Sequence, residues 1–323
     1  MKIAFSDFWH GFNPSTFSMI QMIHSIIDIQ ETKDINEADY LLFSCMGNRH
    51  WFVPDNCVKI FYTGENITPD FNTCDYAIGF DVLEFGDRYL RFPLYYLCDN
   101  ICEQMEIKHL CDYDEIIKKK SKFCSITVSN SKRNPIFKEL YDQLSIYKEV
   151  DSGGKWNNTI GGPIDDKYLF DMGHKFSIVC ENSATPGYTT EKIVEAFAAN
   201  CIPIYWGDPL IGKVFNQKAF INVSEFNSIK DVVEKVKEID GNDDLYREML
   251  LEPALAEQKY SKDNQMKILK SFLTRIFGVS PEQANRRNRD FQGTIYIETR
   301  KKQIEKGVNT AFLSRIIKKI TCI

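Results

Sequence analysis

Four short stretches hold side chains whose types and spacing could do chemistry. The first is Glu191-Lys192, behind the turn TPGYTT and at the start of an apolar-periodic run. A helix start offers free N–H groups and partial positive charge, and Lys192 adds a full charge, so an anion such as a phosphate is suited there. Glu191 beside it would suit the hydroxyls of a ribose or a sugar; as a first-turn acid it equally suits the helix dipole alone. The second stretch is FYTGEN, where Gly64 permits a tight turn and Glu65 follows a buried strand. A lone loop Glu is commonly solvated surface. The third is Trp9-His10, an aromatic that could stack on a sugar face beside an imidazole, or a core Trp and a surface His. The fourth, Asp112-Tyr113-Asp114, has the DxD form of metal-dependent transferases, but it precedes Glu115-Ile116-Ile117 and three lysines and reads as an acidic helix start. No His or Cys cluster has zinc spacing.

These residues need strands and turns to hold them. Apolar runs at 2–5, 40–44, 58–62 and 76–80 read as buried strands separated by helical or irregular segments, which indicates a parallel α/β sheet with loop residues gathered along one rim. A basic join at 118–122 places a boundary there. Beyond it come a strand at 123–129, a helix at 136–146 with Ile136, Leu140 and Leu144 on one face, and a βαβ unit formed by 176–180, a helix opening at 189–192 and 201–205. Gly153-Gly154 could let the backbone approach a nucleotide, or sit in a plain loop. Helical patterns at 224–239, 244–255 and 264–277 cover the sheet, and the last could reach back to the first domain. The expected domains are 1–118, 119–278 and a tail, 279–323.

With 323 residues, 43% hydrophobic and 26% charged, the chain can bury two cores; a net charge of −5 argues against a nucleic-acid partner. The ten cysteines form no framework and read as small buried hydrophobes of a reducing, cytoplasmic setting. No run is long and apolar enough to span a membrane, and the N-terminus has no signal-peptide pattern. From Arg286 onward there are ten Lys or Arg against three Asp or Glu, a charge of +7. Phe312, Leu313, Ile316, Ile317 and Ile320 fall on one side of the final stretch, so a basic amphipathic helix could lie on an anionic membrane surface or dock on the protein.

FSIVCEN, PGYTTEKI and CIPIYWGDP together resemble the donor-binding signature of the α-1,3-fucosyltransferases, glycosyltransferase family 10. FYTGEN, FNTCDYAIGFD and RYLRFPLYY resemble the family's acceptor-side segment, and SNSKRNPIFKELYDQLS a further one. The resemblance covers roughly 39–275. It implies the GT-B arrangement, two facing Rossmann-like domains with parallel sheets, and transfer of fucose from GDP-fucose to the 3-hydroxyl of GlcNAc in a galactosyl-GlcNAc acceptor of Lewis type. It gives Glu65 the role of general base and makes Glu191, Lys192, Tyr188, Glu181 and Asn182 donor-binding residues; Trp9 and His10 lie before the resembling stretch and are acceptor-side candidates on their residue types and place at a strand end alone. The product is α-linked and the donor β-linked, so one displacement inverts the centre and a single essential carboxylate suffices. No cofactor is implied, a divalent metal being at most stimulatory. One departure stands out: where the family carries a phosphate-binding Arg after Pro-Ile, this chain has Phe137, leaving Arg133 or Lys138 to supply the charge, Arg133 being favoured for its bidentate grip.

Overall fold

A computed structural model describes residues 1–98, 100–129, 135–287 and 290–320, with the backbone alone for 308–320. It is an α/β fold built on two separate all-parallel sheets. The chain divides into two compact units, 1–79 with 83–91 and 269–323, and 80–82 with 92–268.

The first unit is organised by a six-stranded sheet. Its strands are β1 (Lys2–Ser6), β2 (Gln30–Glu31), β3 (Tyr40–Phe43), β4 (Val58–Tyr62), β5 (Tyr76–Gly79) and β6 (Tyr89–Arg91), in the order β2-β1-β3-β4-β5-β6. Every residue of β3, β4 and β5 is buried, as a parallel sheet covered on both faces requires. Helix α1 (Ser18–Ile26) buries Met19, Ile20 and Ile23 at helical spacing.

The second unit has α2 (Ile101–Ile107), α3 (Tyr113–Lys119), β7 (Lys122–Ile126), α4 (Ile136–Tyr147), β8 (Val150–Ser152), α5 (Lys167–Met172), β9 (His174–Cys180), α6 (Glu191–Ala198), β10 (Ile202–Trp206), β11 (Ile221–Asn222), α7 (Ile229–Asp240) and α8 (Asp243–Leu251). Its sheet order is β11-β10-β9-β7-β8. The core joins Phe176 and Ile178 of β9 to Leu140 and Leu144 of α4 and to Val232 and Val236 of α7. Asp112 caps α3, accepting from the N–H groups of Asp114 (2.8 Å) and Glu115 (3.4 Å), so the DxD pattern is a helix start.

The domain boundaries differ from those expected in two places. Residues 92–118 belong to the second unit, because α2 packs on α6 and the buried Lys108 ammonium donates to the carbonyls of Leu250 (2.6 Å) and Glu252 (2.7 Å) at the end of α8. The chain then returns: α9 (Lys262–Phe277) begins in the second unit and ends in the first, followed by α10 (Pro281–Ala284) and α11 (Phe291–Ile320). The fully buried Asp75 carboxylate holds that return, accepting from the N–H groups of Arg286 (2.7 Å) and Arg287 (2.9 Å) and pairing with the Arg287 guanidinium at 3.2 Å. Among the described residues no helix is long and apolar enough to cross a membrane, and the apolar side chains of the tail, Phe312 to Ile320, lie outside the described side chains.

Candidate active site

In the second unit two buried carboxylates shape the turn that opens α6. Glu181 follows β9, its side chain wholly buried. It accepts from the Thr190 N–H (2.7 Å), the Thr190 hydroxyl (2.8 Å) and the Lys192 ammonium (2.8 Å). Burial pushes the Glu181 carboxyl up, with Lys192 and Thr190 acting against it. Asp208, after β10, accepts from the N–H groups of Gly187 and Leu210 (both 2.8 Å) and from the Thr189 hydroxyl (2.9 Å). Gly187 takes a φ of +86°, and a Cβ on Gly207 would come within 2.5 Å of the Glu181 side chain, so both glycines are needed. The Glu181 carboxylate, expected among the donor-binding residues, thus holds Thr190 and Lys192 in position. Asp208 is a partner that sequence reasoning missed; its signal was its place in the WGDP run at the same strand rim.

Beside this turn lies a cavity of about 210 Å³, lined by Glu191 and Lys192, by Lys167 and Glu195, and by Thr127 and Phe137 among others. That is smaller than the roughly 300–1,000 Å³ of a whole ligand pocket and suits one part of a ligand. Lys192 is 29% exposed and so can turn donors outward while held by Glu181. Lys167 pairs with Asp171 (2.7 Å) and Glu195 (3.1 Å); burial works against its charge, and those two acids more than offset it, so its pKa lies above the ordinary lysine value. The buried Thr127 hydroxyl has no hydrogen-bond partner among the described residues. Tyr188 is 2% exposed with its ring 5.1 Å from that of Phe80, and Asn182 is exposed. Phe137 sits in the core with its ring 4.9 Å from Trp156 and brings no charge. Lys138 pairs with Asp142 on the outer face of α4. Arg133 lies outside the described residues. A Cβ on Gly154 would stand 2.0 Å from the Val128 carbonyl oxygen, so this glycine serves the packing of two loops.

In the first unit the strand ends carry Glu65 and a set of aromatic rings. The Thr63 hydroxyl accepts from the Glu65 N–H at 2.9 Å and fixes the turn after β4. The half-buried Glu65 carboxylate has no hydrogen-bond or ion-pair partner among the described residues. At the end of β1, Phe8 and Phe12 stack at 3.8 Å; Phe17 lies 5.3 Å from Tyr62 of β4. Trp9 stands edge-on to Phe12 at 5.0 Å and is 44% exposed, which excludes a core role; His10 is exposed. Among the described residues no group of three or more His, Cys, Asp or Glu could hold a metal ion.

Comparison with known proteins decides the family. The α-(1,3)-fucosyltransferase FucT N-terminal domain matches residues 3–98, and the C-terminal part of glycosyltransferase family 10 matches 117–260. A crystal structure of an α1,3-fucosyltransferase with GDP-fucose is 30% identical, covers 84% of this chain and 90% of its own, and has a TM-score of 0.69. The chain belongs to the family 10 fucosyltransferases. Its fold class is GT-B, as in those structures. The α-(1,3)-fucosyltransferase FucT of Helicobacter pylori is 38% identical over 290 residues, 79% of this chain and 60% of the relative. The human 4-galactosyl-N-acetylglucosaminide 3-α-L-fucosyltransferase 9 is 29% identical over 134 residues, 40% of this chain and 36% of the relative. The chain thus spans about 60% of the length of the bacterial relative and about a third of the human one. The turn before α6 lies within the segment matched by the fucosyltransferase C-terminal model, and Glu65 within the segment matched by the N-terminal one.

Proposed function

We propose that the chain transfers L-fucose from GDP-fucose to the 3-hydroxyl of GlcNAc in a galactosyl-GlcNAc acceptor, inverting the donor's anomeric centre. The observation that carries this reading is the unengaged Glu65 carboxylate on the turn after a buried strand, within a family 10 chain. Glu65 takes the proton of the acceptor hydroxyl as its oxygen bonds to C1 of fucose, and the C1–O bond to the diphosphate breaks. Negative charge gathers on the departing GDP. Lys192 and the free N–H groups at the start of α6 are suited to stabilise it, held in place by Glu181 and Asp208. Glu191, lining the cavity, is suited to sugar hydroxyls. Trp9, with its exposed ring, is suited to an acceptor sugar's apolar face, with His10 beside it. No metal ion enters these steps. The basic tail supports a peripheral seat on an anionic membrane surface, which sedimentation with anionic and neutral vesicles would separate from docking on the protein.

The test is product formation from GDP-fucose with Galβ1-4GlcNAc and Galβ1-3GlcNAc, in buffer and in EDTA. Fucose on the 3-hydroxyl of the first acceptor, still formed in EDTA, is the expected result. Measurable GDP binding with no product from either acceptor would favour a non-catalytic GDP-sugar-binding protein, the reading prompted by Phe137 in place of a cation.

A further inference from the structure

The loop that carries the aromatic rings leaves β1 through an unusual residue. Asp7 has a φ of +59°, in the left-handed region that Asn and Asp visit more readily than other side-chain-bearing residues. Its carboxylate is 2% exposed. One oxygen accepts from the Arg49 N–H (3.1 Å); the other accepts from the His50 N–H (2.9 Å) and the His50 ring at Nδ1 (2.8 Å), with the Ser6 hydroxyl at 3.2 Å. The Asp7 carbonyl accepts from the Met46 N–H at 2.8 Å. His50 is itself fixed from two sides. Its ring stacks on Phe43 of β3 at 4.3 Å, and its carbonyl accepts from the buried Lys59 ammonium at 2.6 Å. Gly47 completes the arrangement, since a Cβ there would lie 2.4 Å from the Asp7 carboxylate. Burial opposes the Asp7 charge, and His50 together with the two N–H groups outweighs it.

Five hydrogen bonds and a left-handed backbone are far more than a strand end needs, and the residues that follow at once are Phe8, Trp9 and Phe12. We propose that Asp7 and His50 form a clasp that ties the loop after β1 to the loop after β3 and so sets the position of the Trp9 platform, making them positioning residues for acceptor binding. The inference rests on the reading of this rim as the acceptor side. A stacking ring must meet the sugar face at van der Waals distance, and a displacement of about 1 Å in a positioning group can cost up to about a hundredfold. The clasp fixes the ring before the sugar arrives, so its loss falls on acceptor affinity and leaves the donor-binding residues of the second unit untouched.

The experiment is steady-state kinetics with GDP-fucose and Galβ1-4GlcNAc for Trp9→Ala, Asp7→Ala, Asp7→Asn, His50→Phe and Gly47→Ala, each checked for folding by thermal melt. Asp7→Ala and Gly47→Ala are expected to raise the acceptor KM by about tenfold or more, with the donor KM within about twofold. Asp7→Asn keeps a carbonyl acceptor and tolerates the left-handed backbone, so it should recover most of the loss. His50→Phe keeps the stack on Phe43 and removes only the ring bond, giving an intermediate value. If Asp7→Ala does not fold, Gly47→Ala and His50→Phe decide. A raised acceptor KM in Trp9→Ala with none in the folded clasp variants overturns the clasp and leaves the rim reading standing. An unchanged acceptor KM in Trp9→Ala overturns the rim reading and the inference with it. Donor and acceptor KM rising together in the clasp variants would show a general structural role and overturn the proposal.

Discussion

Replacing Glu181 by Gln should expose how the donor turn is held. The carboxylate is fully buried, and its bonds to Thr190 and Lys192 are all charge-assisted or made to a helix-start N–H. An amide in its place has one acceptor oxygen, and its NH2 must face either the Thr190 donors or an ammonium. Removing one partner of a buried ion pair costs about 3–5 kcal/mol. Lys192 is 29% exposed and can turn to water, which lowers the expected loss to about 2–3 kcal/mol. For a unit of this size that is roughly 5–10 °C in the melting transition that GDP raises. The informative assay is a double-mutant cycle with Lys192→Met, read by thermal melts with and without GDP. Glu181→Gln/Lys192→Met leaves no unpaired ammonium, so the two losses should fall short of adding by about 1–2 kcal/mol. Losses that add to within about 0.5 kcal/mol would refute the coupling of the pair and with it the role of Glu181 in placing Lys192.

Two further outcomes follow from groups away from the donor turn. Burial, then Arg287, brings the Lys59 ammonium down to about 7 from its ordinary 10.5, so above pH 7 the unfolded state holds the extra proton and Lys59 adds stability as pH rises. Wild type should gain about 2–3 kcal/mol on Lys59→Met between pH 7 and 9 in urea unfolding, and a constant difference would refute the shift. Gly154→Ala would force a methyl to within 2.0 Å of the Val128 carbonyl and should cost more than about 3 kcal/mol or prevent folding, whereas Gly161→Ala, with open space but a φ of +89°, should cost about 1 kcal/mol by the same unfolding measurement.

The strands that run through both units are legible in the sequence because parallel, doubly covered strands are continuous apolar runs: the run 58–62 is β4 to the residue, and 176–180 and 201–205 match β9 and β10 to within two. The three-residue β6 and β8 carry too few residues for any period to show. The helix opening at Glu191 is legible from its motif and its apolar spacing. The contacts of Glu181 are not, because a Glu after a buried strand carries no local sign that its carboxylate accepts from the N–H of Thr190 nine residues later. The helical pattern at 264–277 could reach back to the first domain, but the contact that holds the segment after it, Asp75 with Arg287 212 residues away, is one that no local pattern encodes. Lys167 is invisible for a similar reason. Its partner Glu195 sits on another helix, and only folding brings the two to the cavity wall.

The most direct test of the central claim is the rate of Glu65→Gln with GDP-fucose and Galβ1-4GlcNAc, alongside GDP affinity. Gln has the size of Glu and cannot take a proton, and the carboxylate it replaces has no partner among the described residues to lose. The account predicts a fall in kcat of about a hundredfold or more, with the GDP dissociation constant and the melting temperature unchanged. Turnover within about threefold of wild type would contradict Glu65 as the base.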